Sequence, residues 1–343
     1  MSTEQQRRGG IVAGGNWIID HVKLIDTWPS QDALVTILSE SSSNGGSPYN
    51  ILKDLARLGA TFPLEAIGLV GDDADGRTII EDCRAHRIDT TQMQMTSQVA
   101  TSYTDVMTVR GTGRRTFFHQ RGANALLDGE HFDFAKTRAK IFHLGYLLLL
   151  DRLDAAGSEG NARAGEVLAQ ARQAGLKTSI DVVSEDSDRF ARVVLPVLSE
   201  VDYLFLNDFE AERLTGISLR EGDRVSSAAV EQAARSLIDA GVREWVVLHF
   251  PEAVYARSRG GEEHWQPSVK VPANDIRGAA GAGDALAAGV LHGLHEEWPI
   301  AKSVELGVCA AAAALYHPTC SEGLRSIEEC FALGRRLGFR ELP

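Results

Sequence analysis

The sequence has no long apolar run, no excess of positive charge and few cysteines. No apolar segment approaches the roughly 18 residues that a membrane-spanning helix needs, and residues 1–10 lack the apolar core of a signal peptide. We therefore expect a cytoplasmic protein without a membrane partner. The net charge of −12 also disfavours a nucleic-acid partner, because proteins that bind nucleic acids carry basic surfaces.

Several catalytic motifs are missing as well. The four cysteines show neither a CxxC pair nor the His/Cys spacing of a zinc site, so we expect reduced thiols in the core. The chain contains no GxxxxGK[ST], GxSxG or HExxH motif, and no GxGxxG between a strand and a helix. These absences disfavour a Walker-type enzyme, a hydrolase with a nucleophile elbow, a zincin and a dinucleotide-binding fold.

A loop of small residues at 278–284 is the most informative stretch that is present. It leads into an apolar helical pattern, so it predicts a helix N-terminus. At Gly281, Ala282 and Gly283 the backbone N–H groups can approach a phosphate, which the helix dipole also favours. Asp284 is then either a base that deprotonates an attacking hydroxyl or an ordinary acidic residue of a first helical turn.

Strands and helices alternate along most of the chain. This order is typical of a parallel sheet with helices on both faces. The alternation is interrupted at about residues 98–118, where a hairpin is predicted. We predict one α/β/α domain over residues 1–343, with a mostly parallel central sheet and a small β lid from about 20–44 and 98–121.

Polar residues follow several of the predicted strands. Asp20 comes after the first strand, and ligands bind at the carboxyl ends of parallel strands. Asn207 and Glu210 follow a later strand and are three residues apart, so they share one face of a helix start and offer two oxygen ligands. A capping box, in which these residues only satisfy the backbone of the first helical turn, has the same spacing. Both interpretations stay open at this point.

Two separated motifs resemble those of the ribokinase-like carbohydrate kinases. The N-terminal one comprises Gly45-Gly46 with Asn50, the segment 55–59 (LARLG) and the segment 68–76 (GLVGDDADG). The C-terminal one comprises residues 281–285 (GAGDA), followed by Gly289. The resemblance extends from about Ile11 to Ile327 and implies a ribokinase-like fold.

The resemblance also implies a reaction, in which the γ-phosphate of ATP is transferred to a hydroxyl of a sugar or a nucleoside with the help of Mg²⁺. Asp284 is the implied base, and the amides of Gly281, Ala282 and Gly283 form the anion hole. The other implied roles are sugar binding by Asp20, Gly45, Gly46 and Asn50, and support of the magnesium and phosphate groups by Asn207 and Glu210. In this family the lid often mediates a homodimer.

The sequence departs from the family in two places. Gly278 stands six residues before Asp284, where the family has an aspartate of a monovalent-cation site, so a monovalent cation stays open. The nucleotide loop usually reads Thr-Leu-Gly-x-x-Gly, whereas this chain has LHFPEA at 248–253. ATP is then either held differently, replaced by another donor or bound poorly. We expect His249 at the surface, and Arg121 and Asn124 as solvated loop residues.

The leading hypothesis is a sugar kinase with Asp284 as its base, which acts on a small carbohydrate and ATP. Two alternatives remain: a nucleoside kinase, and a non-catalytic sugar-binding protein that has lost ATP binding.

Overall fold

A computed structural model describes residues 8–112, 114–157, 162–185 and 187–343. In chain order its strands are β1 (Ile11–Gly15), β2 (Ile18–Ile25), β3 (Ile37–Gly45), β4 (Leu64–Gly71), β5 (Ile88–Thr96), β6 (Ser102–Val109), β7 (Arg115–Gln120), β8 (Ile141–Leu147), β9 (Lys177–Val182), β10 (Tyr203–Asn207), β11 (Arg220–Glu221), β12 (Arg224–Val225), β13 (Trp245–His249), β14 (Ala253–Ser258) and β15 (Glu263–Pro267). Its α-helices are α1 (Ser47–Leu58), α2 (Ala74–Ala85), α3 (Asp151–Asp154), α4 (Arg163–Gln173), α5 (Phe190–Val193), α6 (Asp208–Thr215), α7 (Ser227–Asp239), α8 (Ala282–His295), α9 (Ile300–Ala314) and α10 (Ile327–Leu337).

The central sheet has nine strands in the order β15-β14-β13-β10-β9-β8-β1-β4-β5. The strands from β13 to β5 pair in parallel, and β14 and β15 add an antiparallel edge. After β1 the chain builds β4 and β5 on one side, and it later returns to place β8 on the other side. The strand order therefore reverses between β1 and β8, and such a reversal opens a crevice at the carboxyl ends of the strands.

Helices cover both faces of this sheet. Because successive side chains of a strand point to opposite faces, Val12 packs into one core while Ile11 and Ala13 pack into another. The first core includes apolar residues of α4 and α7, and the second includes those of α1, α8 and α9. The predicted three-layer α/β/α arrangement with a mostly parallel sheet is confirmed.

Small residues allow α8 and α9 to pack closely. A Cβ atom at Gly289 would lie 2.8 Å from the Cα of Gly307 on the facing helix, so a side chain at this position would push the helices apart. This contact accounts for the glycine that follows the loop at 278–284. Because α8 is held in this way, its N-terminus has a fixed place at the edge of the sheet.

Four further strands form a second sheet in the order β3-β2-β6-β7, which we call the small sheet. They coincide with the two segments for which a lid was predicted, except that β2 begins two residues earlier and β3 ends one residue later. The sequence placed Asp20 at the end of the first strand, which is wrong. The chain turns at Gly15, where φ is 123° and a Cβ atom would lie 2.3 Å from the carbonyl oxygen of Gly145, and Asp20 lies within β2 of the small sheet.

All four cysteines are unpaired and buried, as expected. Across the described ranges, no helix combines the length and the apolar character that a membrane crossing requires.

Candidate active site

A cavity of about 690 Å³ lies where the carboxyl ends of the central strands meet the small sheet, and we call it the central cavity. The ends of β9, β10 and β13 contribute to its wall, together with the first turns of α1 and α8 and residues of β2 and β7. Most of the predicted site residues line it: Asp20, Gly46, Asn50, Asn207, Glu210, Gly281, Gly283 and Asp284. Gly45 and Ala282 do not line it.

Asp284 lies in the first turn of α8, with only 4% of its surface exposed. Asn50 Nδ2 donates a hydrogen bond of 2.7 Å to Asp284 Oδ2, and the Tyr146 hydroxyl lies 3.1 Å from both carboxylate oxygens. Burial raises the pKa of Asp284 above its ordinary value, and the nearby carboxylate of Asp181 raises it further. A buried carboxyl group with a raised pKa and fixed hydrogen bonds is suited to accept a proton.

Two hydrogen bonds fix the orientation of Asn50. Asn44 lies at the end of β3. Its Nδ2 donates a hydrogen bond of 2.6 Å to Asn50 Oδ1 and another of 2.8 Å to the Ser321 hydroxyl. Because the amide oxygen of Asn50 is held by Asn44, its amide nitrogen faces Asp284. Asn50 was predicted to contact a sugar, and in this structure its side chain also orients the candidate base.

Tyr146 and Asp181 were not identified from the sequence. Tyr146 has a positive φ of 56° near the end of β8, and its backbone nitrogen donates a hydrogen bond of 2.9 Å to Asp181 Oδ1. The Ser47 hydroxyl donates a hydrogen bond of 2.6 Å to Asp181 Oδ2, and this bond connects the end of β9 to the start of α1. Each is the penultimate residue of its observed strand, β8 or β9, and a place at the carboxyl end of a strand is the signal that could have found them.

A glycine makes room for the Asp20 side chain. A Cβ atom at Gly45 would lie 2.4 Å from Asp20 Oδ1, so any larger residue there would displace the carboxyl group. Gly46, which follows, has a φ of 83° and begins the turn into α1. Burial raises the pKa of Asp20 to about 7, and hydrogen bonding to Cys320 and the charge of Arg115 act in the opposite direction.

The loop before α8 is shaped by two close approaches. Gly281 has a φ of 71°, which favours glycine, and a Cβ atom there would lie 2.7 Å from the Cα of Cys320. A Cβ atom at Gly278 would lie 2.9 Å from the Cα of Pro318. The position at which the family carries an aspartate therefore has no room for one in this packing. The first-turn amides of a helix lack intrahelical acceptors, so this loop retains the features of an anion site.

The capping box at the start of α6 is formed in full. Asn207 Oδ1 accepts a hydrogen bond of 2.9 Å from the backbone nitrogen of Glu210, and Glu210 Oε2 accepts one of 2.9 Å from the backbone nitrogen of Asn207. The same two side chains line the central cavity, so the capping role does not exclude a ligand role. Burial, together with the smaller effect of the carboxylates of Asp181 and Asp284, raises the pKa of Glu210 to about 8.

These residues fit a magnesium ion that is bound largely through phosphate oxygens. Within the described part of the chain, no cluster of three or more His, Cys, Asp or Glu side chains could hold a metal ion by itself. Mg²⁺ is commonly bound by one or two carboxylates together with substrate phosphates and water. A cation near Glu210 would also favour its ionised form, because it would offset the charges of Asp181 and Asp284.

A second cavity of about 440 Å³ adjoins the first, and we call it the side cavity. The two share Asn207, His249, Ala279 and Gly283. The wall of the side cavity is mostly apolar and includes Phe209, Phe250, Pro251, Leu286, Val308, Ala311, Ala312 and Leu315. Phe250 and Pro251, the bulky residues of the atypical loop, thus form part of its wall.

His249 lies at the junction of the two cavities, so its expected surface position is wrong. The parallel pairing of β10 with β13 sets His249 opposite Asn207, and a Cβ atom at Gly283 would lie 3.2 Å from His249 Cε1. Burial lowers the pKa of His249 to about 4, which leaves the imidazole neutral at pH 7.

The expectation of a solvated Asn124 is also wrong. Its side chain is fully buried. It accepts a hydrogen bond of 3.1 Å from the backbone nitrogen of Trp17 and donates one of 2.9 Å to the backbone oxygen of Trp17, so it stabilises the turn from β1 into β2. Arg121 is partly exposed and pairs with Asp151 and Glu185.

Comparison with known proteins gives a family. The family model described as pfkB family carbohydrate kinase matches residues 14–327, which include all the predicted site residues. A 5-dehydro-2-deoxygluconokinase of Geobacillus thermodenitrificans (strain NG80-2) is 25% identical over 295 residues, which cover 83% of this chain and 82% of the relative.

Solved structures show the same fold. A ribokinase of Arabidopsis thaliana complexed with ribose and ATP superposes with a TM-score of 0.76 at 18% identity, and covers 96% of this chain and 99% of its own. A putative ribokinase II of E. coli in complex with ATP and Mg²⁺ gives a TM-score of 0.73 at 18% identity, with coverage of 96% and 99%. The predicted ribokinase-like fold is therefore confirmed.

The buried carboxyl groups make the stability of the ligand-free protein depend on pH. A raised pKa means that the folded state holds a proton that the unfolded state has released, so the free energy of unfolding falls as pH rises from about 4. The fall continues to about pH 8, the pKa of Glu210. We predict that Asp284→Asn raises the unfolding free energy by on the order of 2 kcal/mol at pH 8 and by less at pH 5.

Urea denaturation of both proteins at a series of pH values measures this difference. Asp239→Asn, at an exposed position at the end of α7, is the matched control and should change little. A gain from Asp284→Asn that does not vary with pH would contradict a raised pKa.

Proposed function

This chain belongs to the pfkB family of carbohydrate kinases, phosphotransferases with an alcohol group as acceptor, and we propose that Asp284 is the base with which it transfers the γ-phosphate of ATP to a hydroxyl of a small carbohydrate. The observation that carries this proposal is the position of Asp284. Its buried carboxyl group is held by Asn50 and Tyr146 at the wall of the central cavity, beside the amides that begin α8.

In the proposed reaction the acceptor hydroxyl lies against Asp284. The carboxylate takes the hydroxyl proton, the hydroxyl oxygen forms a bond to the γ-phosphorus, and the bond from that phosphorus to the leaving oxygen of ADP breaks. The amides of Gly281 and Gly283, which line the central cavity, would stabilise the negative charge on the transferred group. The Ala282 nitrogen, which was also expected in this role, donates a hydrogen bond of 3.4 Å to the Ala279 oxygen. Tyr146 remains a hydrogen-bond donor throughout, because burial holds its pKa well above the ordinary value.

ATP and Mg²⁺ are the proposed donor and cofactor. The apolar side cavity suits a flat base, and it opens at Gly283 into the central cavity where the phosphates would lie. Asn207 and Glu210 support the proposed magnesium site, and the ion would neutralise phosphate charge during transfer. The neutral imidazole of His249 lies beside Gly283. This chain lacks the glycine loop of the family, and His249 is placed to contact the donor phosphates in its stead.

The side cavity also bears on the alternative of a non-catalytic protein. That hypothesis rested on the bulky loop at 248–253, and Phe250 and Pro251 here line a cavity that remains open.

The acceptor is proposed to bind between Asp20 and Asp284, where carboxylates can accept hydrogen bonds from sugar hydroxyls. We propose that the small sheet acts as the lid over it, since β2 and β7 contribute to the cavity wall.

Substitution of the base tests the proposed mechanism. Asp284→Asn keeps a hydrogen-bonding side chain but cannot take a proton at neutral pH, so we expect kcat to fall by about 10²–10⁴. Wild-type turnover should also decline as pH falls through the raised pKa of Asp284, because the base is then protonated. Coupled assays of ADP release with a panel of hexoses, pentoses, sugar acids and nucleosides measure both effects, with Asp239→Asn as the control. Undiminished turnover by Asp284→Asn would reject the base.

A substitution in the side cavity tests the donor site. Ala311 is half-buried on α9 and lines only the side cavity, so Ala311→Phe should fill the space proposed for the base. We expect the Kd for Mg·ATP to rise about tenfold or more, equivalent to about 1.4 kcal/mol, with acceptor affinity nearly unchanged. Calorimetric titration measures both affinities, and Ala301→Phe on the exposed side of α9 is the control. An unchanged Kd for ATP would mean that the base binds elsewhere.

A homodimer through the lid is the proposed assembly. The small sheet and its connecting loop expose large apolar side chains, among them Trp28 and Phe118, whose rings stack with centroids 6.3 Å apart. The other exposed members are Leu34, Ile37, Leu38 and Phe117. Phe117 also lines the central cavity although 58% of it is exposed, so a second copy would cover that part of the cavity wall.

The apolar surface predicts a change of mass on substitution. Leu34 is 92% exposed, and Leu34→Glu would place a charge in the proposed interface. We expect sedimentation velocity to report a dimer for the wild type and a monomer for the variant. Leu342→Glu, at an exposed leucine near the C-terminus, should leave the dimer intact. A wild-type monomer at micromolar concentration would reject this assembly.

A further inference from the structure

A fully buried histidine lies behind the wall of the central cavity. His143, on β8, has no exposed surface, and both of its ring nitrogens have hydrogen-bond partners. Nδ1 lies 3.0 Å from the hydroxyl of Ser179 on β9, and Nε2 lies 2.9 Å from the hydroxyl of Ser47 in the first turn of α1. His143 itself does not line the cavity, and the proposed reaction gives it no role.

The direction of these hydrogen bonds follows from Ser47. Its single hydroxyl hydrogen is donated to Asp181 Oδ2 over 2.6 Å, so Ser47 can only accept from His143, and Nε2 must carry a hydrogen. Nε2 also lies 3.6 Å from Asp181 Oδ1, so the histidine faces the same carboxylate directly. We call Ser179, His143, Ser47 and Asp181 the His143 network.

The His143 network ends at Tyr146. Asp181 Oδ1 accepts a hydrogen bond of 2.9 Å from the Tyr146 backbone nitrogen, in a stretch where the pairing of β8 with β9 is irregular. Irregular strand pairing is common beside active sites, where it re-aims a side chain. Here it aims the side chain of Tyr146, whose hydroxyl lies 3.1 Å from both carboxylate oxygens of Asp284.

The backbone of Tyr146 depends on this support. Its φ of 56° is unfavourable for a residue with a bulky side chain, and such a conformation persists only where the surroundings hold it. Leu148 has a φ of 82°, and there too a buried carboxylate, that of Asp154, accepts a hydrogen bond of 3.0 Å from the backbone nitrogen. The end of β8 is therefore held in a strained conformation by carboxylates of neighbouring elements.

We propose that His143 is a positioning residue for the reaction: through Ser47 it fixes the carboxylate of Asp181, which holds Tyr146 in the conformation that places its hydroxyl on Asp284. This inference rests on the proposed kinase function and deepens it, because it gives control of the candidate base to a residue outside the cavity. A histidine that only stabilised the core would have no bonded path to the base. Here consecutive contacts lead from His143 to Asp284.

Crystal structures of variants test the network without any reliance on turnover. His143→Leu donates nothing to Ser47, so we expect Tyr146 to leave the left-handed region and its hydroxyl to move from Asp284 by about 1 Å or more, a displacement that matters for catalysis. His143→Gln can still donate to Ser47 through its amide, and should keep Tyr146 in place. Ser47→Ala removes the next link and covers the case in which the leucine variant fails to fold. An unchanged Tyr146 in His143→Leu or in Ser47→Ala would overturn the proposal.

Kinetics of the full chain test whether His143 acts through Tyr146. We expect His143→Leu to lower kcat about 10- to 100-fold with the acceptor KM nearly unchanged, and His143→Gln to restore most of that loss. Tyr146→Phe, which keeps the ring without the hydroxyl, should lower kcat by a similar factor. In the double variant the two losses should not multiply, because both substitutions remove the same contact. Losses that multiply would overturn the proposal.

His292→Leu is the matched control. His292 is also a buried histidine, but it lies towards the C-terminal end of α8, where its ring packs against Phe62 and Trp298. We expect this substitution to leave kcat and the position of Tyr146 unchanged. An equal loss of kcat in His292→Leu would overturn the proposal, since the loss of any buried histidine would then be enough.

The two proposals fail separately. A wild-type protein without turnover on any acceptor would reject the kinase function, while the variant structures would still decide whether His143 holds Tyr146 on Asp284. Turnover that is lost in Asp284→Asn but unaffected by His143→Leu would leave the base in place and overturn the role of His143.

Discussion

The hydrogen bond between Asn50 and Asp284 joins two helices that are distant in sequence. One helix begins after β3 and the other follows β15, and their first turns converge at the crevice between β1 and β8. Strand order, close helix packing and the glycines at the turns all serve to bring these two N-termini together. Without this convergence, the candidate base, the proposed anion hole and the proposed acceptor pocket would not share one cavity.

Much of this arrangement could be predicted from the sequence because its signals are local. A glycine loop before an apolar helix identified Asp284, and a strand end with a spacing of three identified Asn207 and Glu210. The residues that were missed depend on non-local pairing. Tyr146 and Asp181 meet only because β8 pairs with β9, and a register shift of one residue would turn the Asp181 side chain to the other face. His249 was misassigned for the same reason, since its neighbour Asn207 lies on another strand.

The central cavity contains more carboxyl groups than the ligand-free protein can keep ionised together at neutral pH. Asp20, Asp181, Glu210 and Asp284 all line it, and three of them have raised pKa values. An apolar wall would be more stable in isolation, so the carboxyl groups indicate a compromise between stability and activity. Because the whole chain is acidic, the proposed anionic donor would be attracted locally, by the loop before α8 and by the proposed metal ion.

Asn44 gives the small sheet a direct connection to the candidate base. It ends β3, and its amide group holds Asn50, which in turn holds Asp284. Any shift of β3 relative to α1 must therefore lengthen a bond in this chain of three side chains. The orientation of the candidate base is thus tied to the position of β3, so the small sheet bears on the geometry of Asp284 as well as on the wall of the cavity.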